Sequence, residues 1–343
     1  MKLKARAGLV LTAFTVATGV NAQTYPEMNL RLAHFFPAST VQSQVDQWWA
    51  DEIEKRSGGK IKVKIFWGES LGKAAEILDL VGSGAVELGA TAPAYFPSKL
   101  PLTGATNSLP MVFKSHKQAQ VITTELVEKI PEMQQEHKRN KVMPLFYHSV
   151  NNFHILCTKP VAKMEDFKGL KIRSYGEYVP MLWGKLGAVA VNSMTPELYE
   201  GLQRGKLDCA YFPHELTGSL KLYEVAKYQS TADFGAIVSF PVYVNDELWE
   251  KWPAQVKTLF MNASKDAVRR DFEQVRLAGK MALEKAIKDN GVKVVPFQDQ
   301  VALEKAAPDF IAIWAENMKK KGLGDAAAKT VAMWKKLLAE VGK

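Results

Sequence analysis

Arg173 is the residue of this chain whose chemistry is easiest to assign. It ends the strand-like stretch 168–173, and a loop of small and aromatic residues that includes Tyr175 follows it. A guanidinium stays charged at any physiological pH, and its planar fork of N–H donors matches the geometry of a carboxylate. The residue and its setting therefore indicate capture of an organic acid.

A second chemistry is suggested by Gly-Glu-Ser-Leu-Gly at residues 68–72. This matches the nucleophile elbow of serine hydrolases, and it lies between a predicted strand and a predicted helix, as that mechanism requires. The histidines that could serve Ser70 are His137, His148, His154 and His214. No glycine-rich oxyanion loop accompanies them, so a hydrolase using Ser70 is the alternative function, and a plain glycine turn is favoured.

Other reaction chemistry is not supported by the sequence. The glycines at 82 and 84 lack the third glycine of a dinucleotide-binding loop, there is no Walker loop, and the six histidines and two cysteines lack zinc-ligand spacing. We therefore expect no cofactor, no metal and no enzymatic activity. Positive charges alternate with acidic residues along the helices, so we expect no nucleic-acid partner either.

The first 22 residues have the pattern of a signal peptide. A basic start at residues 1–6 is followed by an apolar stretch at 7–20 and by the small-residue cleavage site Val20-Asn21-Ala22. The apolar stretch is short for a membrane anchor, which is the alternative. We expect export to the periplasm with a mature chain beginning at Gln23, and the formal charge then falls from +9 to +6 because Lys2, Lys4 and Arg6 are removed.

The two cysteines, Cys157 and Cys209, lie in strand-like stretches. In an oxidising compartment they could form a disulfide. The alternative is a pair of buried thiols that behave as small apolar residues. Of the two, buried thiols are favoured by the sequence.

Strands and helices alternate along the first part of the chain. Strands are predicted at 28–33, 60–67 and 86–91, and helices at 40–57 and 73–81. This order favours a parallel sheet covered by helices on both faces, which is an α/β fold.

A second unit of the same kind follows a strand at 143–149. Strands are predicted at 153–158, 170–173, 206–212 and 238–244, and helices at 177–186, from Thr195 as N-cap to Gly205, at 308–319 and at 325–341. The apolar spacing of residues 254–290 predicts one helix about 55 Å long. This is longer than one small domain, so we expect the helix to brace two.

Aromatic residues recur in the loops that follow the predicted strands, namely at 34–37, 94–97, 147–154, 174–176 and 210–214. In open α/β sheets, ligands bind outside the carboxyl ends of the strands. These loops are therefore the expected walls of a binding site.

Five stretches, 58–63, 70–72, 81–89, 166–173 and 196–208, carry a family resemblance over nearly the whole mature chain. They are similar to the extracytoplasmic solute-binding proteins of tripartite ATP-independent periplasmic (TRAP) transporters, of the dicarboxylate-binding (DctP) type. The resemblance implies a two-lobed protein that closes on a ligand in a cleft and delivers it to the TRAP permease membrane subunits. It also implies that Arg173 is the carboxylate clamp and that the long helix braces both lobes. We expect a monomer with lobe I at 23–149 plus 238–277 and lobe II at 150–237 plus 278–343.

Two departures from the family pattern suggest the kind of ligand. His154 stands near the place where many relatives have a second basic residue, and Phe212 lies where relatives that bind sugar acids or dicarboxylates often have a polar residue. We therefore predict an aromatic or branched apolar monocarboxylate. The predicted ligand contacts are Arg173, His154, Asn151, Asn152 and Tyr175 at the carboxylate, and Phe36, Tyr95, Phe212 and Phe234 around the remainder.

Overall fold

The structure is a computed structural model that describes residues 24–341. The predicted signal peptide lies outside the described residues. Within residues 24–341, no helix combines the length and apolarity needed to cross a membrane. The α/β fold is confirmed: helices surround two separate β-sheets.

The elements alternate as the sequence predicts, with several additional short ones. The strands are β1 (Met28–His34), β2 (Ile61–Phe66), β3 (Leu88–Ala90), β4 (Val142–Ser149), β5 (His154–Cys157), β6 (Lys171–Ser174), β7 (Val189–Asn192), β8 (Cys209–Phe212), β9 (Tyr228–Ser230), β10 (Val238–Asn245) and β11 (Lys293–Val295). The helices are α1 (Val41–Arg56), α2 (Ile77–Gly82), α3 (Ala105–Ser108), α4 (His116–Lys129), α5 (Pro131–Arg139), α6 (Val179–Lys185), α7 (Leu198–Gln203), α8 (His214–Ser219), α9 (Asp246–Lys251), α10 (Ala254–Asn290), α11 (Gln300–Ala306), α12 (Phe310–Lys320) and α13 (Gly324–Glu340).

The first sheet has the strand order β2-β1-β3-β10-β4 and forms the centre of the first lobe. Strand β1 pairs in parallel with β2 and β3, so the predicted βαβαβ unit is confirmed there. A fully parallel sheet is wrong, because β10 returns from the second lobe and runs antiparallel to both β3 and β4. The chain thus crosses between the lobes after β4 and again before β10.

The second sheet has the order β11-β9-β5-β8-β6-β7 and forms the centre of the second lobe. Its central strand β5 is antiparallel to both of its neighbours, β8 and β9. The lobe boundaries proposed from the sequence stay a prediction, although the two sheets draw on different parts of the chain.

A disulfide joins Cys157 to Cys209 in the second sheet. The preference for two free thiols is therefore wrong. The residues stand directly opposite each other on β5 and β8, with their Cα atoms 4.0 Å apart, a juxtaposition that strand-like stretches far apart in sequence do not reveal. The bond ties the strand that carries Phe212 to its neighbour.

Replacing Cys157 and Cys209 by serine is expected to lower the free energy of unfolding by about 4 kcal/mol, because the cross-link closes a long loop in the unfolded chain. Urea unfolding with and without a reducing agent measures this. Reduced wild type should match the double variant, whose own stability should not respond to reductant. Equal stability of oxidised and reduced wild type would contradict the prediction.

Helix α10 runs unbroken over 37 residues with the predicted bounds, and it packs on α1 of the first lobe and α8 of the second. Its internal glycine, Gly279, lies against the first crossing of the chain. A Cβ atom there would lie 2.6 Å from the side-chain nitrogen of Asn151. The Asn151 side chain donates to the carbonyl of Val275, which also belongs to α10 (2.7 Å). Because Gly279 has no side chain, Asn151 can come close enough to make this bond, which attaches the crossing to the helix.

Candidate functional site

A small cavity of about 30 Å³ lies between the lobes, where strand ends of both sheets meet. The first lobe contributes Phe35, Phe36 and Tyr95 to its wall, and the second lobe contributes Arg173, Tyr175 and Phe212. Five of these six residues are predicted site residues. The remaining wall is mostly apolar, since Val150, Phe153, Leu216, Ile237 and Phe240 complete it together with a few small or polar residues.

Arg173 sits near the end of β6 and is only 2 % exposed. Its Nε donates to the carbonyl of Ser193, Nη1 to the carbonyl of Tyr211 and Nη2 to Oγ1 of Thr195, each over 3.2 Å. All three acceptors are neutral. Because a guanidinium has five N–H donors, one N–H on each terminal nitrogen is still available.

Two aromatic rings hold the guanidinium between them. Its central carbon lies 4.3 Å from the ring centre of Tyr175 and 5.1 Å from that of Phe212. Cation–π contacts of this kind stabilise a desolvated guanidinium without neutralising it. Phe212 therefore lies against the guanidinium of Arg173, and its contact with a ligand stays a prediction.

No carboxylate of the described chain pairs with Arg173. The salt bridges within residues 24–341 leave it out, although many exposed lysines and arginines take part in them. A buried charge is costly unless an opposite charge compensates it. The guanidinium of Arg173 therefore carries a charge that no acidic side chain of residues 24–341 neutralises.

The hydroxyl of Tyr175 is the second polar group suited to a ligand. It is buried, and it has no hydrogen-bond partner among the described residues. Burial raises the pKa of Tyr175 well above its usual range, although the nearby Arg173 opposes the shift. The phenol therefore stays neutral and keeps a proton to donate.

His154 and Phe234 lie outside the cavity wall. The His154 ring donates from Nδ1 to the carbonyl of Ala232 (2.9 Å) and stacks on His214, with ring centres 4.4 Å apart. Burial lowers the pKa of both histidines, that of His214 to about 3, so neither supplies a second cation. Phe234 packs edge-on against Trp183 in the core of the second lobe.

Asn151 and Asn152 also lie outside the cavity wall, and both hold the first crossing in place. Asn151 donates to Glu215 from its backbone nitrogen (2.9 Å) and its side chain (3.0 Å). Asn152 donates to both carboxylate oxygens of Asp233. Their donors are already used by protein acceptors, which leaves little for a ligand.

Thr195 is a site residue that the sequence analysis missed. The structure shows it inside a 3₁₀ turn that precedes α7, with Met194 at the cap position, so its assignment as an N-cap is wrong. Its hydroxyl instead lies 3.1 Å from the hydroxyl of Tyr95 and accepts from Arg173. No sequence signal pointed to this role, because the strand that precedes Thr195, β7, was not predicted.

A buried polar chain supports the first-lobe wall of the cavity. The backbone nitrogen of Phe36 donates to Nδ1 of His34, and Nε2 of His34 donates to Asp46 (2.9 Å). His148 bridges Asp46 (2.8 Å) and Asp271 (2.6 Å), and Asp271 also accepts from Ser149. We call this set of residues the Asp46–Asp271 chain.

His148 is the cation of that chain. Burial alone would lower its pKa, but the two flanking carboxylates raise it to about 10. Burial lowers the pKa of His34 despite its contact with Asp46, and its Nδ1 accepts a hydrogen bond, so this ring is neutral. One imidazolium thus lies between the carboxyl groups of Asp46 and Asp271 in the interior and offsets one negative charge.

Ser70 stands in an exposed turn after β2. The turn is held by Glu69, which adopts a left-handed conformation (φ 64°) and accepts from the backbone nitrogen of Ala74 (2.7 Å). Within residues 24–341, no hydrogen bond joins the Ser70 hydroxyl to a histidine. The nucleophile-elbow interpretation therefore has no support.

The family model for DctP, bacterial extracellular solute-binding protein, family 7, matches residues 32–321. The chain belongs to this family. The C4-dicarboxylate-binding periplasmic protein DctP of Rhodobacter capsulatus, for example, is 26 % identical over 331 residues, which cover 96 % of this chain and 96 % of that protein.

Solved structures of TRAP solute-binding proteins share the fold. A TRAP solute-binding protein from Rhodoferax ferrireducens, in complex with copurified benzoate, matches with a TM-score of 0.82 and 20 % identity over 91 % of this chain and 98 % of that one. A marine metagenome TRAP protein in complex with copurified pyroglutamate matches with a TM-score of 0.78 and 19 % identity, covering 91 % of this chain and all of the other.

Membership of family 7 establishes the general function. The chain is a solute-binding protein of a TRAP system, it binds organic acids, and it is not an enzyme. Such proteins are periplasmic and work with membrane permease components. The two-lobed α/β fold and the family resemblance predicted from the sequence are confirmed.

Proposed function

We propose that this family 7 protein binds a monocarboxylate with a compact aromatic or branched apolar body and passes it to the TRAP permease. The observation that carries the proposal is the buried guanidinium of Arg173, which lacks a carboxylate partner among the described residues and faces an aromatic cavity. A carboxylate would compensate that charge and complete its hydrogen bonds.

The contacts at the carboxylate follow from the donors that are still available. Arg173 offers one N–H on each terminal nitrogen, and Tyr175 offers its hydroxyl. Phe212 would lie beside the ion pair, since its ring already faces the guanidinium. The predicted contacts of His154, Asn151, Asn152 and Phe234 with the ligand are not part of this proposal, because their packing places them elsewhere.

The apolar body of the ligand would meet the first-lobe wall. Phe35, Phe36 and Phe240 form a tight cluster there, with ring centres between 4.1 and 5.2 Å apart. Edge-on contacts with further rings suit an aromatic or branched group.

A dicarboxylate fits this wall poorly. Arg173 is the charged side chain of the cavity wall within residues 24–341, so a second carboxylate would have no cation to pair with. Burying an ionised carboxylate against phenylalanine rings without a partner is strongly unfavourable. The benzoate and pyroglutamate in two related structures are in line with this choice, whereas the Rhodobacter relative is named for C4 dicarboxylates.

Titration calorimetry with a panel of acids tests the proposal. We expect benzoate or 3-methylbutanoate to bind at least about tenfold more tightly than succinate, malate or galacturonate, a difference of about 1.4 kcal/mol. Mass spectrometry of the acid that copurifies with the protein is an independent check. Tight binding of succinate without binding of any monocarboxylate would reject the proposal.

A further inference from the structure

Two hydrogen bonds join the lobes directly beside the cavity. The hydroxyl groups of Tyr95 and Thr195 lie 3.1 Å apart, and the backbone nitrogen of Thr195 donates to the Tyr95 hydroxyl over 3.2 Å. Tyr95 follows β3 of the first sheet, whereas Thr195 follows β7 of the second. Separation of the lobes would break both bonds, because each joins one lobe to the other.

The same Thr195 oxygen also contacts the clamp. Its Oγ1 accepts from Nη2 of Arg173, so one lone pair is used by the guanidinium. A hydroxyl has one proton and two lone pairs, and what remains faces Tyr95. One atom, Oγ1 of Thr195, therefore contacts both Arg173, which is the proposed carboxylate-binding residue, and Tyr95, which lies in the other lobe.

We propose that Tyr95 and Thr195 form a latch that stabilises the closed protein and couples closure to the state of Arg173. A carboxylate on Arg173 holds the guanidinium still, and so holds the Thr195 hydroxyl in the orientation that Tyr95 requires. Both residues are positioning residues. The coupling to a carboxylate rests on the proposed function, whereas the latch itself does not.

The backbone beside the latch approaches the other lobe closely. Gly176 has a left-handed conformation (φ +63°), and a Cβ atom there would lie 3.2 Å from that of Ser108 and 3.6 Å from that of Ala94. The Tyr95 ring meets Phe35 and Tyr175 edge-on at 6.2 and 6.5 Å. Tyr95→Phe keeps these ring contacts and removes only the hydroxyl, so it isolates the latch from packing.

The first measurement uses no ligand. Double electron–electron resonance between one spin label on each lobe gives the ratio of closed to open molecules in wild type, Tyr95→Phe, Thr195→Val and Thr195→Ser. Tyr95→Phe loses both bonds and should lower the closed-to-open ratio about fivefold or more. Thr195→Ser keeps the hydroxyl and should resemble wild type, while Thr195→Val should fall between them.

The second measurement adds benzoate as the probe and benzamide as its neutral counterpart. Benzoate should raise the closed fraction of wild type, and it should bind Tyr95→Phe about fivefold or more weakly. Benzamide should not raise the closed fraction, because it brings no charge to Arg173. The benzoate-bound Thr195→Ser protein should close as wild type does.

The outcomes separate the latch from the proposed ligand. A ligand-free wild type that is wholly open, or a Tyr95→Phe protein as closed as wild type, overturns the latch. Thr195→Ser as open as Thr195→Val would mean that a hydroxyl at this position is not enough to hold the lobes together, and this would also overturn it. Failure of wild type to bind benzoate counts against the proposed ligand class alone, since the ligand-free measurement still decides the latch.

Discussion

Arg173→Met is expected to weaken binding of a monocarboxylate roughly 30-fold to several thousand-fold, the range for losing one partner of a desolvated charge pair. Methionine fills much of the same space but has no N–H donor and no charge. The melting temperature should stay the same or rise, because the buried guanidinium has no carboxylate partner among the described residues. Calorimetry with benzoate and thermal unfolding measure the two effects.

Two further variants complete that test. Arg173→Lys keeps the charge but loses the planar fork, so it should bind more weakly than wild type and more tightly than Arg173→Met. Arg204→Met removes an exposed arginine of the same lobe and should leave the dissociation constant unchanged. If Arg173→Met binds benzoate as tightly as wild type, Arg173 is not the clamp.

The second large effect concerns His148. His148→Gln is expected to lower the free energy of unfolding by about 3–5 kcal/mol, because the buried carboxylates of Asp46 and Asp271 lose the cation between them. Both carboxylates are almost fully buried and cannot be hydrated instead. Urea unfolding at pH 7 measures the loss.

The same histidine predicts how stability depends on pH. Its pKa is raised from 6.5 to about 10 in the folded protein, so its contribution is fully present below pH 6.5 and is lost as the pH rises towards 10. Wild type should thus lose several kcal/mol of stability across this window, and His148→Gln should lose much less. His137→Gln is the control, because burial lowers the pKa of His137 to about 4 and it is neutral throughout. Parallel curves for wild type and His148→Gln would contradict the assignment.

Long, regular segments of this fold could be predicted from the sequence. Helices α1 and α10 have the expected bounds because their apolar periodicity is sustained and their ends are marked. The short strands β7, β9 and β11 were not predicted, since three or four residues form a strand only through pairing with neighbours. Helices α4 and α5 were also missed, although Ser115 caps the first and Pro131 opens the second.

The site was predictable to the extent that strand ends define it. Arg173, Tyr175, Phe212, Tyr95 and Phe36 all follow or end strands, and the structure brings them to one cavity. Their contacts with a ligand stay a prediction. His154 and Asn151 lie just as near a strand end, but the direction of a side chain depends on partners such as His214 and Glu215, which are distant in sequence.

Thr195 is a residue whose role in the cavity could not be predicted, because that role also depends on partners distant in sequence. Its position before a proline and a glutamate suggested a local role at a helix start. The partners that decide its role, Tyr95 and Arg173, lie 100 and 22 residues away. Rules that use only neighbouring residues predict an N-cap for Thr195, because they contain no information about such distant partners.

The burial of Arg173 between the lobes limits how a bound acid can leave the protein. Because the guanidinium is 2 % exposed and the space beside it is only about 30 Å³, a bound acid has no exit while the lobes stay together. Its residence time is then the waiting time for the lobes to separate. An acid that stabilises the closed protein more strongly should therefore leave more slowly, unless the permease opens the lobes first.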